Sequence, residues 1–212
     1  PNIIWATGSV PVDPPIPRTD DEGIFTSDEA VALPGPPDRL AIIGAGAIGC
    51  EFAYIYSQMG TDVHLVEMMD RVMPTEDPDV SDVLTSELQK LGVQICVECL
   101  CARIESEDGK KVLDIQSSVN GQATTLTADM VLLAAGRRAN TENMGLEEVG
   151  VEMDEHNIVV DGHLRTNIDG LYAIGDCVRG AGLAHQASCE GECAIEVIRK
   201  GREADCRMVV PM

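Results

Sequence analysis

The chain has 212 residues, 44% hydrophobic and 24% charged, the balance of an ordinary globular protein with room for one large domain or two small ones. Its formal net charge of −21 repels phosphate backbones and anionic lipid, which disfavours nucleic acid and membrane as partners. No apolar run approaches the roughly 18 residues of a membrane helix, and a cytoplasmic protein with a solvated acidic surface is expected.

Only 3% of the residues are aromatic, so the core must be built from Val, Ile, Leu, Ala and Met. Residues 2–6 read as a strand. The proline-rich stretch 9–23 reads as a connection too broken for a helix. A short helix is predicted over 26–33, with Ser27 as its N-cap ahead of two acids, and 34–38 as a second linker. A buried strand follows at 40–43, a helix over 47–59 ended by Gly60, and a strand at 62–66. Residues 78–92 predict an amphipathic helix on the spacing of Val80, Val83, Leu84, Leu88 and Leu91. Antiparallel strands are predicted at 93–98, 100–106, 111–118 and 122–127, with "EDGK" and "VNGQ" as turns. "DMVLLAAG" is another buried strand, "GLYAIGD" one more, and 183–201 is mainly helix. Both ends, "PNIIWATGS" and "CRMVVPM", read as cuts through folded structure, so a fragment is expected. "IIWATGSVP" and "VLLAAGRRAN" echo one another, either as two buried strands ending in Ala-Gly or Thr-Gly or as a duplicated nucleotide-binding architecture.

The eight cysteines suit reduced, buried thiols better than a disulfide framework. Cys96 and Cys101 have the C-x4-C spacing of some redox disulfides. On one continuous strand they would point to opposite faces roughly 16 Å apart at about 3.3 Å per residue, beyond the ~7 Å limit for a bridge. Cys96 likewise faces away from Cys99 and Cys101 in that reading, which leaves zinc poorly served and predicts no metal site.

The stretch "AIIGAGAIGCEFAYIYSQMGTDVHLVE" carries the strongest chemistry. Gly44, Gly46 and Gly49 make G-x-G-x-x-G between a strand and a helix, and Glu67 closes the next strand. Gly44 allows a tight turn, Gly46 lets backbone approach a pyrophosphate, and Gly49 lets the helix pack close to the strand. The helix N-terminus, at Ala47 and Ile48, offers unpaired N–H groups to phosphate. Glu67 can accept from ribose hydroxyls and would repel a 2′-phosphate, which favours NAD(H), although Arg71 lies close by.

Several motifs in order resemble the pyridine nucleotide–disulfide oxidoreductases, and among them the dihydrolipoamide dehydrogenases: "NIIWATGS", "TSDEAVAL", "IIGAGAIGCEFA", "VHLVEMMDRVMPTEDPDV", "AAGRRANTENMGLEEVGV", "LRTNIDGLYAIGDCV" and "LAHQASCEGECAIE". The resemblance implies an α/β fold: a Rossmann-like parallel sheet with helices on both faces and an antiparallel meander, plus an incomplete FAD-domain lobe. It places part of an FAD domain at 1–34, the NAD domain at 35–137, and the rest of the FAD domain at 138–212, ending where an interface domain would begin.

The resemblance also implies roles. Glu51 matches an acid on the nicotinamide side of the flavin, and Gly136 a backbone contact to the nicotinamide half of NAD. Thr7 and Gly8 match a segment that closes over FAD. Gly175 and Asp176 match the second FAD motif, and Leu183, Ala184 and His185 the segment whose backbone lies near the isoalloxazine. The family's own FAD glycine fingerprint, its C-x4-C disulfide and its His–Glu pair have no counterpart, so no catalytic residue is assigned. The chain alone is expected to be inactive and to hold FAD weakly or not at all. The intact protein would be a homodimer, with an acyltransferase complex as a candidate partner, passing electrons from dihydrolipoamide through FAD to NAD+. A relative acting on a metal ion or oxygen, such as a mercuric reductase or NADH oxidase, and a non-catalytic NAD(H)-binding module are the alternatives.

Overall fold

The computed structural model describes residues 1–180 and 182–200. The apolar end at 206–212, Cys206, and the last residue of the predicted 183–201 helix lie outside them. In chain order the strands are β1 (Ile3–Trp5), β2 (Ser9–Pro11), β3 (Ile24–Thr26), β4 (Arg39–Ile43), β5 (Asp62–Val66), β6 (Gln94–Cys96), β7 (Cys99–Glu107), β8 (Lys110–Ser117), β9 (Ala123–Ala128), β10 (Met130–Leu133), β11 (Arg137–Ala139), β12 (Met153–Asp154), β13 (Asn157–Ile158) and β14 (Leu171–Ala173). The helices are α1 (Ser27–Ala30), α2 (Ala47–Gln58), α3 (Pro78–Lys90) and α4 (Ala184–Lys200). Two compact units divide the chain: Pro11–Gly136, and Pro1–Val10 with the residues from Arg137 onward.

The central unit is built on a parallel sheet in the order β3-β10-β4-β5-β6. Strand β4 is an unbroken apolar run after Arg39 because it is covered on both sides. Leu40 and Ile42 pack with Val63, Leu65, Phe52, Ala53 and Leu88 on the helix side. Ala41 and Ile43 face the other way, with Val131, Leu133, Ile104, Leu113 and Ile115. Helices α1, α2 and α3 thus share one face, and the antiparallel β7-β8-β9 meander covers the other, where helices were expected. The meander's first hairpin turns at Asp108 and Gly109, with φ of 50° and 75°, as a two-residue hairpin turn of this kind requires.

Several expectations are corrected here. The segment predicted as the first antiparallel strand is β6, a parallel edge strand beside β5. Residues 11–34 cluster with the central unit, because β3 is a strand of the main sheet, pairing Phe25 with Leu132. Nor is the proline-rich stretch a bare connection. Prolines have no N–H but keep their carbonyls, and the Ile104 N–H donates to the Pro17 carbonyl at 2.9 Å. The cap of α1 is Thr26, one residue before Ser27: its side chain accepts from the Asp28 N–H while Glu29 reaches back to the Thr26 N–H. On α3 only part of the apolar stripe is inward. Leu88 is buried, whereas Val80 and Val83 are 49% and 65% exposed. The inward place goes to Ser81, whose hydroxyl donates to the Val72 carbonyl at 2.5 Å.

The second unit pairs β1 with β14 in parallel, β2 with β11, and β12 with β13 as a hairpin. Its core has two parts. Trp5, Leu146, Val151, Ile158, Ala173 and Cys177 form one, and Ile4, Leu164, Tyr172, Ala194 and Val197, the inward face of α4, form the other. The echo between the two strand ends holds at backbone level, since β1 runs into Gly8 at φ 70° and β10 into Gly136 at φ 106°.

The cysteines depart from the all-thiol expectation. Cys96 and Cys99 are joined in a disulfide, with Cα atoms 5.9 Å apart. The strand assumed continuous through them breaks at Glu98, whose φ of 51° turns the chain and brings the two side chains to one side. Cys50, Cys101 and Cys177 are unpaired and buried, and Cys101 takes no part in a C-x4-C bridge. Burial pushes the Cys50 and Cys101 thiols up from 9.0 to about 11, Cys50 with added repulsion from Glu67 and Glu51. The folded state therefore holds these protons more tightly than the unfolded chain. That stabilisation is complete below pH ~9 and lost as pH rises through ~11, so chemical denaturation at stepped pH should show stability falling across this window. Flat stability there would contradict the burial of the two thiols.

Candidate functional site

The central unit carries a cleft of about 770 Å³ beyond the carboxyl ends of β4, β5 and β10. The chain leaves β4 toward β5 and β6, then returns to place β10 on the other side of β4. That reversal of strand order is where open α/β sheets bind ligands. Gly44, Gly46, Ala47, Ile48, Glu67 and Gly136 all line the cleft, as do Ile43, Val66, Met68, Ala134 and Ala135.

The three glycines of the turn have distinct causes. Gly44 sits at φ 105°, its N–H donating to the Val66 carbonyl at 2.8 Å, and a Cβ there would lie 2.3 Å from the Ala134 carbonyl oxygen. At Gly49 a Cβ would lie 1.9 Å from the Gly44 oxygen, which is how α2 comes so close to β4. Gly46 is the N-cap of α2, with no side chain to occupy the helix end, and a Cβ there would meet nothing within 4 Å. The space beside it is a cradle open to the first N–H groups of α2, a fit for a phosphate. Gly136, at φ 106°, is equally open.

Glu67 is 6% exposed, and its carboxylate ties the glycine turn to the end of β5. One oxygen accepts from the Ala45 N–H at 2.7 Å, the other from the Met69 N–H at 2.8 Å. A carboxylate has about four acceptor positions, so capacity remains for ribose hydroxyls. Arg71 is turned elsewhere: its guanidinium pairs with Asp70 at 3.3 Å, and it is not among the residues lining the cleft. Glu51 is also absent from the cleft. It lies on the exposed side of α2, along a groove with Tyr54, Ile55 and Leu84.

Sequence reading missed two walls of this cleft, Pro14–Pro17 and the start of β7 from Cys99 to Ala102. The prolines were legible as a turn-rich stretch, but nothing in them signals that their apolar rings face a ligand space.

In the second unit, Thr7, Gly8, Gly175 and Asp176 come together where β1 and β14 end. Trp5 Nε1 donates to Thr7 Oγ1 at 2.9 Å, and Thr7 Oγ1 donates to the Asn140 carbonyl at 2.6 Å. Ser9 Oγ donates to Asp176 Oδ2 at 2.7 Å and accepts from Arg137 Nε at 2.9 Å. Asp176 borders a polar hollow of about 480 Å³ whose walls include Arg137, Arg138, Arg179 and His156 together with Glu155; Arg138 and Arg179 already pair with Glu142 and Asp154. A Cβ at Gly8 would meet nothing within 4 Å. Gly175 is held by a residue the sequence did not reveal: its N–H donates at 2.5 Å to Glu190, a carboxylate 2% exposed, which also accepts from Gln186 at 2.7 Å. The signal available was the Gln186–Glu190 pair at helical i,i+4 spacing. Leu183 precedes α4, Ala184 and His185 begin it, and none of the three lines the hollow. Among the described residues no group of three or more His, Cys, Asp or Glu could hold a metal ion, and no helix is long and apolar enough to cross a membrane.

A family model described as pyridine nucleotide-disulphide oxidoreductase matches residues 1–191. Dihydrolipoyl dehydrogenase of Rhizobium etli is 38% identical over 197 residues, which cover 93% of this chain and 41% of the relative. The dihydrolipoyl dehydrogenase of Acholeplasma laidlawii is 39% identical over 203 residues, 94% of this chain and 58% of the relative. Among solved structures, a Cu(II) complex of the HOCl-induced flavoprotein disulfide reductase RclA from Escherichia coli aligns with a TM-score of 0.86 at 29% identity, covering 96% of this chain and 46% of that one. The chain thus spans between 41% and 58% of the length of these relatives. A glycine turn at the sheet's reversal point, an acid closing the next strand, and a match along most of the sequence lead to one conclusion: the chain belongs to the pyridine nucleotide–disulphide oxidoreductase family.

Proposed function

We propose that the central unit binds NAD(H) and that the second unit contributes to an FAD site, both serving a dihydrolipoamide dehydrogenase-like enzyme. The observation that carries this reading is the open cradle at Gly46 beside the buried Glu67. When bound, FAD would relay electron pairs and NAD+ would accept them as hydride. The residues of this chain position and select. The Ala47 and Ile48 end of α2 faces the phosphates, Glu67 takes the adenosine ribose, and Gly136 leaves room for the nicotinamide half. In the second unit, Gly8 and Asp176 would border the flavin's ribityl chain. The whole reaction, from dihydrolipoamide to NAD+, and a homodimer within a larger acyltransferase assembly belong to this reading of the intact protein. So does a cytoplasmic location.

A second reading, a flavin disulfide reductase acting on another substrate, is favoured by the likeness to the HOCl-induced reductase at TM-score 0.86. Both share the coenzyme site, so the test is coenzyme choice. Fluorescence titration of this chain should give an NADH affinity about tenfold or more above that for NADPH, the scale of one hydrogen bond to a charged group. Equal affinities would remove the support for Glu67 as a ribose acceptor.

A further inference from the structure

The disulfide and the acid of the cleft are built into one another. The Glu67 N–H donates to the Cys96 carbonyl at 2.8 Å, and the Cys99 N–H donates to the Glu67 carbonyl at 2.9 Å. Between the two cysteines, the Glu98 N–H donates to the Met69 carbonyl at 2.7 Å, while the Met69 N–H is one of the two donors to the Glu67 carboxylate. The short loop closed by Cys96 and Cys99 is therefore stitched to the main chain on both sides of Glu67. From Cys99 the chain continues as a wall of the cleft.

This bond is poorly placed to act as a staple. Disulfide stabilisation grows with the loop that is closed, and these two cysteines are separated by only 3 in sequence. What the bond fixes is the turn itself. Cys50, Cys101 and Cys177 remain unpaired and buried, and where thiols are kept reduced a disulfide is usually transient, catalytic or redox-sensing. The neighbouring Cys101 thiol, kept protonated by burial, is a weak nucleophile and does not compete for Cys99.

We propose that Cys96–Cys99 is a reversible thiol–disulfide site through which a dithiol reductant lowers the affinity of the cleft for NAD(H), acting on Glu67 through the main chain. The proposal rests on the dinucleotide reading given above. In the step, a reductant thiolate attacks Sγ of Cys96, the more exposed residue of the pair. The Cys96–Cys99 bond breaks as a mixed disulfide forms, and Cys99 leaves as a thiolate and takes up a proton. The reductant's second thiolate then attacks the mixed disulfide. Cys96 is released and protonated, and the reductant departs as its own disulfide. Two electrons and two protons reach the protein, and a disulfide oxidant reverses the change. The reduced loop holds the Glu67 turn less firmly, so more of the binding energy goes into ordering it.

The test uses the 212-residue chain with dithiothreitol as the dithiol, alkylation with peptide mass mapping, and NADH titration. Reduction should free positions 96 and 99 for alkylation and weaken NADH binding about tenfold, the scale of one misplaced hydrogen bond to a charged group. Reoxidation should restore it. The double variant Cys96→Ser/Cys99→Ser should bind NADH like the reduced chain and ignore dithiothreitol. If that variant does not fold, the wild-type comparison decides alone. Free thiols at 96 and 99 with unchanged NADH affinity would overturn the switch and leave the dinucleotide site standing. Failure of positions 96 and 99 to reduce in the folded chain would also overturn it. Absence of NADH binding in either state would instead bring down the dinucleotide reading, and the switch with it.

Discussion

Gly49→Val is expected to lower the melting temperature by about 6–12 °C, whereas Gly46→Ala lowers it by a few degrees at most and still weakens NADH binding at least about tenfold. The two glycines stand three residues apart in one turn, but their surroundings are opposite. A Cβ at Gly49 would sit 1.9 Å from the Gly44 carbonyl oxygen, and Gly44 cannot retreat, because its own Cβ position is 2.3 Å from the Ala134 oxygen. Backbone is packed on backbone, so relief requires shifting α2 off the sheet. Overpacking costs about 1–3 kcal/mol and occasionally more, and a clash of backbone on backbone falls at the upper end, about 3 kcal/mol. Each kcal/mol moves the melting point of a chain this size by ~2–4 °C. Gly46 has an ordinary φ of −73° and nothing within 4 Å of its Cβ direction. Alanine there loses only a favourable N-cap, about 1 kcal/mol or less, but its methyl stands where a pyrophosphate would approach. Thermal melts and NADH titrations of both variants check the contrast. Wild-type NADH affinity in Gly46→Ala would show that the cradle holds no phosphate.

The parts of this fold legible in the sequence are those where burial leaves a periodic mark. Strands β4 and β10 are covered on both faces and appear as apolar runs, β5 alternates Asp62 and His64 with buried Val63 and Leu65, and the glycines that end α2 and α3 are visible as stops. Gly44, Gly46 and Gly49 were legible because their spacing is itself a backbone requirement. Where a local rule was extended past a break, reading failed. Cys96 and Cys99 were placed on opposite faces by strand alternation, and the φ of 51° at Glu98 interrupts it between them. Strand β3 is three residues long and gives no period, yet its pairing with β10 decides which unit residues 11–34 join. Pro14–Pro17 carry turn chemistry and an apolar wall at once, and only the first is a local property. Glu190 carries only the i,i+4 spacing to Gln186 as a signal, since its other partner, the Gly175 N–H, lies outside α4 beyond the reach of helical periodicity.

Glu67→Ala tests whether the acid selects the coenzyme, holds the turn, or does both; the hydrogen bonds to Ala45 and Met69 carry the second role, and the first is the proposed one. The variant should lose about 2–3 kcal/mol of stability, chiefly because the Ala45 N–H, in a fully buried residue, is left without an acceptor. The Met69 N–H, on an exposed residue, can turn to water and contributes less. Binding should change in a coenzyme-dependent way. NADH loses a ribose acceptor worth about 1.5–3 kcal/mol, whereas NADPH loses a charge that repels its 2′-phosphate. The gap between the two coenzymes should therefore narrow as the protein becomes less stable. Glu67→Gln separates the two effects. Its amide oxygen can still accept from Ala45, so most of the stability should return. The side chain has lost its charge and turns an NH2 toward Met69 or the ribose, so the discrimination should stay narrow. Denaturant melts give the first quantity and paired NADH and NADPH calorimetry the second. Full stability in Glu67→Ala would show that the bonds to Ala45 and Met69 do not hold the turn. An unchanged coenzyme preference in Glu67→Gln would show that the charge of this carboxylate does not choose between NADH and NADPH.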